Sequence, residues 1–209
     1  MVENSGKLTR AEQKAQRPIQ ILDAAFEEFV ERGFMATRVE DIADRIGVTK
    51  GTIYVYFPTK EELFSAMIRH ISVPFEVVLT EANELSGTCT ERLKSLIRLF
   101  YERVLENRKT REMLRFVVAE GSRFPEVVDT HFRELMEPIF ARTQVLLDEG
   151  THLGEFRRAP AARASIIFAP VLSMAVETLI FGNRKDLDLP SYIEAHLDIV
   201  INGLAVSRG

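Results

Sequence analysis

The chain has 209 residues, 46% hydrophobic and 28% charged, with 27 Lys and Arg against 31 Asp and Glu for a formal charge of -4. That length allows one or two domains with their own core, and the ordinary composition excludes collagen-like, low-complexity and disordered chains. The single cysteine, Cys89, excludes an intrachain disulfide and a cysteine-based zinc site and points to a reducing compartment. The acidic balance excludes coating of nucleic acid by bulk charge but leaves room for a local basic surface.

The first 17 residues, MVENSGKLTRAEQKAQR, lack the apolar core of a signal peptide and read as a flexible tail. Pro18 stands where a first helical residue is favoured, and Ile19, Leu22, Ala25, Phe26, Phe29 and Val30 follow at helical spacing. Gly33 closes that helix, because glycine adopts left-handed geometry without a Cβ clash. Two short helices are predicted over about 38–46 and 50–57, capped by Thr37 (with Glu40 three residues on) and by Thr49. Thr59 and Glu62 form a further capping-box pattern that opens a fourth, long helix.

Within that helix, SVPFEVVLT alternates like a half-buried strand at Val73, Phe75, Val77 and Leu79. Over a longer window Ile68, Ile71, Phe75, Val78, Leu79, Ala82 and Leu85 follow a helical stripe, so we read helix, kinked at Pro74. Beyond Gly87 five more helices are predicted, over about 90–107, 110–121, 125–150, 159–182 and 190–206, the last two separated by NRKDLDLP. Kinks are expected at Pro138 and Pro170. The most apolar stretch, Ser165–Gly182, has too short an uninterrupted apolar part to span a bilayer and reads as a buried helix. The fold class is all-α, about nine helices, and the chain reads as cytoplasmic with no membrane partner.

The most informative segment is VEDIADRIGVTKGTIYVYFP, residues 39–58. Ala43 is small where a second helix must approach, Gly47 occupies a turn needing positive φ, and Ile42, Ile46, Val48, Ile53 and Tyr56 supply the contacting apolar faces. That joint spacing is what a helix-turn-helix requires. Polar donors remain on its outer face. Lys50, Thr52 and Tyr54 line the start of the second helix, Lys60 and Thr37 stand at other helix starts, and Arg38 and Arg45 are within reach of a DNA backbone.

The run Thr37…Ile42-Ala43…Gly47-Val48-Thr49-Lys50-Gly51-Thr52-Ile53-Tyr54-Val55-Tyr56-Phe57-Pro58-Thr59-Lys60-Glu61-Glu62-Leu63 resembles the N-terminal domain of the TetR/AcrR transcriptional regulators, departing mildly at Tyr56, where many members carry histidine. The resemblance implies a tail over 1–17, a DNA-binding domain over 18–66 and an effector-binding and dimerisation domain over 67–209. It also implies a homodimer bound to a palindromic double-stranded operator and released from it by a small-molecule effector, most simply as a repressor. By the family pattern the DNA contacts are Lys50, Gly51, Thr52, Tyr54 and Lys60, and Thr37, Arg38, Thr49 and Val55 join the candidate set from their own places near the same face. Thr52 and Val55 are the candidates for base edges, Val55 through a thymine methyl or else as a packing residue against Leu63. The tail carries Lys7, Arg10, Lys14 and Arg17 and reads as a basic arm to a minor groove or as solvated chain.

Farther on, MLRFVVAEGSRFPEVV and EGTHLGEFRRAPAARA are similar to the C-terminal domain of the AefR-like branch. Candidate effector-pocket residues are Phe100, Met113, Phe116, Val117, Phe132, Met136, Phe140 and Phe168, together with Glu120 and Glu177, two acids in apolar surroundings that need a ligand or an arginine partner. The last two helices carry more apolar residues than one internal face uses, as a dimer interface would. His70, His131, His152 and His196 lack metal-ligand spacing, and no phosphate loop or nucleophile elbow occurs, so no catalytic residue, metal or cofactor is expected. The alternative is a small-molecule-binding or protein-interaction module that kept the fold and lost operator binding.

Overall fold

A computed structural model describes residues 10–158, 163–184 and 188–206. Among them are eleven α-helices and no strand beyond one isolated bridge between Phe156 and Ala205. Residues up to His70 form one compact unit and residues from Ile71 onward a second.

The first unit, or head, holds α1 (Arg10–Ala36), α2 (Val39–Arg45), α3 (Lys50–Tyr56) and α4 (Lys60–Ile71). Helix α1 starts at Arg10, so Pro18 lies inside it and residues 10–17 are helical rather than a loose tail; residues 1–9 lie outside the described residues. Its core face is Ile21, Ala25, Phe26 and Phe29, whereas Ile19 is exposed. At Gly33 the backbone takes φ 75°, and the helix kinks there. Beyond the kink, Phe34 meets Phe29 and Phe64 of α4 at centroid distances of 5.7 and 5.1 Å, with Phe29 and Phe64 5.3 Å apart.

Helix α2 packs through Ile42 and Ala43 and α3 through Ile53, all buried. Between them Gly47 sits at φ 67°, and the Val48 N–H closes back on the Ala43 carbonyl at 3.0 Å. The cap of α2 differs from the expected one. Arg38 is the N-cap residue, its N–H donating to the Asp41 carboxylate at 3.2 Å. Thr37 is only 1% exposed, and its hydroxyl bonds the carbonyls of Glu28 and Gly33.

An ion-pair cluster ties α1 to α2. The Glu28 side chain is 5% exposed and receives Arg45 at 2.8 Å and Arg32 at 3.3 Å, while Arg45 also reaches Glu31 and Arg32 reaches Asp41, both at 2.8 Å. Arg45, expected near a DNA backbone, is therefore held by the fold.

The second unit holds α5 (Val73–Glu84), α6 (Cys89–Tyr101), α7 (Arg108–Glu120), α8 (Pro125–His131), α9 (Glu137–His152), α10 (Ala164–Phe181) and α11 (Leu189–Leu204). The ambiguous SVPFEVVLT segment is helical, but α4 and α5 are separate helices broken at Ser72, with Pro74 in the first turn of α5, where it needs no backbone donor. Helices predicted as continuous over 90–107 and 125–150 each contain a π-helical turn, Glu102–Glu106 and Phe132–Met136; the second of these, with the break at Ser72, raises the helix count above nine. Pro138 falls in the first turn of α9, just after the second π turn, and Pro170 lies inside α10.

Two distant contacts fix the α6 end of this unit. The Glu155 carboxylate accepts from the Cys89 and Thr90 N–H groups at 3.0 Å each, which holds its pKa below the usual carboxylate value. Phe156 lies on Gly150, where a Cβ would come within 2.2 Å of the ring. Deeper in, Tyr101 and His196 share a buried hydrogen bond of 2.9 Å between hydroxyl and Nδ1.

Two predictions follow from these buried polar groups. Glu28→Ala strands two arginines that are 34% and 48% exposed, so the cost is about 2 kcal/mol in the head, read by urea unfolding followed on the helix-turn-helix. Burial pushes His131 and His196 below the ordinary histidine value of 6.5. The unfolded chain then binds protons that the folded chain refuses, so stability is full above about pH 7 and falls as the pH drops through 6. A thermal melt series from pH 7.5 to about 5.5 should show Tm falling, and His196→Gln should flatten the fall.

Candidate nucleic-acid interface and effector cavity

The head presents one polar face at α3. Thr49 caps that helix, its Oγ1 accepting from the Thr52 N–H at 3.2 Å and sharing a 3.0 Å hydrogen bond with the Thr52 hydroxyl. This cap fixes the first turn, from which Lys50, Gly51, Tyr54 and Val55 are exposed. Val55 is 79% exposed, which rejects the packing alternative against Leu63 and leaves a methyl-bearing side chain on an outward face. Isolated apolar residues at a surface are ordinary. This one stands among hydrogen-bond donors.

Gly51 is not required by the fold. Its φ is not positive, and an added Cβ would meet only Thr49 Oγ1, at 3.7 Å. Lys50 Nζ donates to Glu40 at 2.5 Å, which raises the lysine pKa and lowers that of the glutamate. Both groups are exposed, so the pair is weak and exchangeable for a phosphate. Lys50 also lies 5.5 Å from the Tyr54 ring centre. Lys60 Nζ approaches the Met35 carbonyl at 3.4 Å and lies 4.5 Å from the Phe34 ring centre, at the start of α4.

The structure thus gathers Thr49, Lys50, Gly51, Thr52, Tyr54 and Val55 on one helix start, with exposed Arg38 at the start of α2. Thr37 does not join them, because its side chain is buried and its hydroxyl is used within the head. Glu28 is not among the residues singled out from the sequence. Its partner Arg45, seventeen residues on, belongs to a different helix, so no helical spacing marks the pair.

The second unit contains a cavity of about 380 Å³, in the range of small-molecule sites. Phe100, Met113, Val117, Phe132, Met136, Phe140 and Phe168 line it as expected. Phe116 does not; it is buried elsewhere in the core. Glu120 and Glu177 also stay out of the lining, so neither acid is placed to contact an occupant. The polar lining missed by sequence reading is Thr110, His131 and Ser165. A threonine in the charged first turn of α7 and a serine at the start of apolar α10 give no signal before the helices are placed.

The phenylalanines pack in a row. Phe132 and Phe140 are 6.1 Å apart between ring centres, Phe140 and Phe168 6.0 Å, and Phe168 and Phe100 4.5 Å. Both π turns border the space, through Val104 and through Phe132 and Met136, as is common where helices form functional sites. The Ser72 hydroxyl lies 3.3 Å from the Met113 sulfur and 3.4 Å from His131 Nδ1. Cys89, by contrast, is buried with its thiol pushed up by desolvation, and Arg92 bonds its sulfur at 3.1 Å. No cluster of three His, Cys, Asp or Glu suited to a metal occurs among the described residues.

Helix α10 is long and apolar enough to pass a composition test for a membrane span. Its buried side, with Ile167, Phe168, Val171 and Met174, supplies core and cavity wall.

Comparison with known proteins agrees with both halves of this geometry. Residues 21–67 match the family model for bacterial regulatory proteins of the tetR family, and residues 91–199 match that for the AefR-like transcriptional repressor C-terminal domain. The chain is 28% identical over 203 residues to the transcriptional repressor KstR2 of Rhodococcus jostii, covering 92% of this chain and 93% of that protein. A transcriptional regulator from Saccharomonospora viridis in complex with choline shares the fold, with TM-score 0.76 and 19% identity over 92% of this chain and all of that one. So does FadR from Bacillus subtilis in complex with stearoyl-CoA, with TM-score 0.66 and 24% identity over 89% and 98%.

The α3 surface separates stability from binding. Gly51→Ala adds helix propensity and meets nothing inside the head, so Tm should hold or rise by up to about 1 kcal/mol of stability. The same change should lower DNA affinity about tenfold by fluorescence anisotropy, because backbone contacts to phosphate set register on the duplex.

Proposed function

The chain belongs to the TetR family of bacterial regulatory proteins, and from that premise we propose that it is a homodimeric repressor released from a palindromic operator by a small molecule held in the second unit. As a family member it is a ligand-responsive DNA-binding transcriptional regulator. The observation that carries the reading is the α3 face, where a capped helix start presents Lys50, Gly51, Thr52, Tyr54 and Val55 together.

In this reading Lys50 leaves Glu40 for a phosphate, the Tyr54 hydroxyl and the Thr49 cap bond the backbone, and Gly51 lets the duplex come close. Thr52 and Val55 read base edges, Val55 by apolar contact with a thymine methyl. Arg38 and Lys60 add backbone contacts from neighbouring helix starts. The head is not strongly basic, since residues 1–60 hold nine basic and nine acidic side chains. Affinity then depends on two heads engaging one operator.

The dimer uses α10 and α11. These helices bury Ile167, Val171, Ala175, Leu197 and Leu204 but expose Ile166, Ile180 and Ile199, the last at 72%. A patch of that kind on the symmetry axis is what an isologous interface covers. The effector acts by linkage: a molecule that binds the DNA-incompetent state more tightly weakens operator binding by the same factor. Such a regulator acts in the cytoplasm.

The test uses duplex DNA from the region upstream of its own gene. A footprint with two half-sites and a steep log–log salt slope, on the order of -5 or steeper, is expected. Affinity equal to that for random DNA across the titration would show instead a binding module without an operator. Ile199→Glu should yield a monomer by analytical ultracentrifugation, with operator affinity reduced by at least about a hundredfold as the second head is lost.

A further inference from the structure

The occupant of the cavity can be specified by its charge and size. Among the described residues, none that lines the space is Asp, Glu, Lys or Arg. The polar lining among the described residues is Thr110, His131 and Ser165. The described lining residues that are also exposed, Phe132, Ser165, Ala169 and Leu172, carry no charge either, so they offer a charged headgroup no counter-ion. Burying an ion without a partner is among the most costly events a protein interior can host.

The row of phenylalanines does not change this. An aromatic cage for a cation holds several ring faces open around one point, with tryptophan the best host. Here Phe100, Phe168 and Phe140 pack on one another at 4.5 and 6.0 Å, so they form a continuous wall.

Size adds a second limit. An apolar cavity of about 150 Å³ takes one benzene, so this cavity takes on the order of 15 non-hydrogen atoms. A stearoyl chain with its carrier exceeds that.

Thr110 supplies the third observation. It lines the cavity, is 2% exposed, and its hydroxyl has no hydrogen-bond partner among the described residues. Buried hydroxyls normally have a partner. A helical threonine has two accessible χ1 rotamers, so this hydroxyl can turn towards an occupant.

We propose that the effector is an uncharged, mainly apolar molecule of medium size with one neutral polar group, an alcohol or ketone, bonded by Thr110. This rests on the reading that the cavity is the effector site, and it sets the chain apart from neighbours crystallised with stearoyl-CoA or choline. His131, whose burial favours the neutral ring, is the second polar group facing such a ligand.

The experiment is a matched series on the intact dimer, using dodecanol, dodecanone, dodecane, dodecanoate, dodecyltrimethylammonium and dodecanoyl-coenzyme A, with binding read by calorimetry and operator release by anisotropy. The alcohol and ketone should bind at least tenfold tighter than the carboxylate, the cation or the thioester. Thr110→Val is isosteric and removes an unpartnered hydroxyl, so the apo protein should melt no lower than wild type. The variant should bind the alcohol and ketone about fivefold more weakly and dodecane unchanged. Ala169→Phe, a cavity-filling change on an exposed residue, should weaken every neutral probe together.

A carboxylate, cation or thioester that binds as tightly as the alcohol overturns the proposal. So does binding of no probe, or an alcohol affinity indifferent to Thr110→Val. The two readings fail differently. Tight alcohol binding that leaves operator affinity unchanged overturns the effector-site reading and leaves the cavity chemistry standing. Release driven only by a charged probe does the reverse.

Discussion

A carboxylate shielded from water holds the head of this protein together. Glu28 lies on the inner side of α1 and collects Arg45 from the far end of α2 and Arg32 from its own helix. Nine residues on, Thr37 ties the same stretch back through its hydroxyl to the Glu28 and Gly33 carbonyls. An ion kept from solvent is tolerable only with partners in place, so these contacts tolerate few other placements of α2. Because α3 is joined to α2 by the tight turn at Gly47, fixing α2 fixes the direction in which Lys50, Thr52 and Val55 point. The exposed face proposed to meet DNA is thus aimed by residues that lie away from it.

The second unit solves a different problem. Its helices enclose an aromatic space, and the helix walls at that space are irregular. The π turns at Glu102–Glu106 and Phe132–Met136 each admit one extra residue per turn, and each delivers side chains to the lining. A bundle of regular α-helices packs to native density with few voids larger than water. Here the departures from regularity border the void. The apolar excess of α10 is divided between the core, through Ile167, Val171 and Met174, and the cavity, through Phe168, Ala169 and Leu172, with Ile166 and Ile180 left exposed.

Charge shows how the sequence and the fold answer different questions. Residues 32–60 carry Arg32, Arg38, Arg45, Lys50 and Lys60, a local excess that reads as a surface for phosphate. In the folded head Arg32 and Arg45 are spent on carboxylates, Lys50 rests on Glu40, and Lys60 covers the Phe34 ring. The basic surface is smaller than its composition suggests. What remains is one helix start with a few donors, which suits a protein that reads a short operator rather than one that coats DNA.

The sequence alone determined the all-α class, the helix-turn-helix and its polar face, because these rest on local rules. Helical spacing, the Thr49 cap and the positive φ at Gly47 all act within a few residues. The helical reading of SVPFEVVLT and seven of the ten pocket candidates were legible on the same ground, since apolar periodicity marks which residues turn inward. Tertiary structure alone decided what that periodicity cannot carry. A buried Phe116 and a cavity-lining Phe132 look alike in a string, and Thr37 reads as a surface cap until its hydroxyl is claimed from inside. Glu28 with Arg45, and Glu155 with the start of α6, pair across 17 and 66 residues. Such pairs form only when the chain has folded, because it is burial, a property of the whole unit, that makes an unpartnered polar group costly.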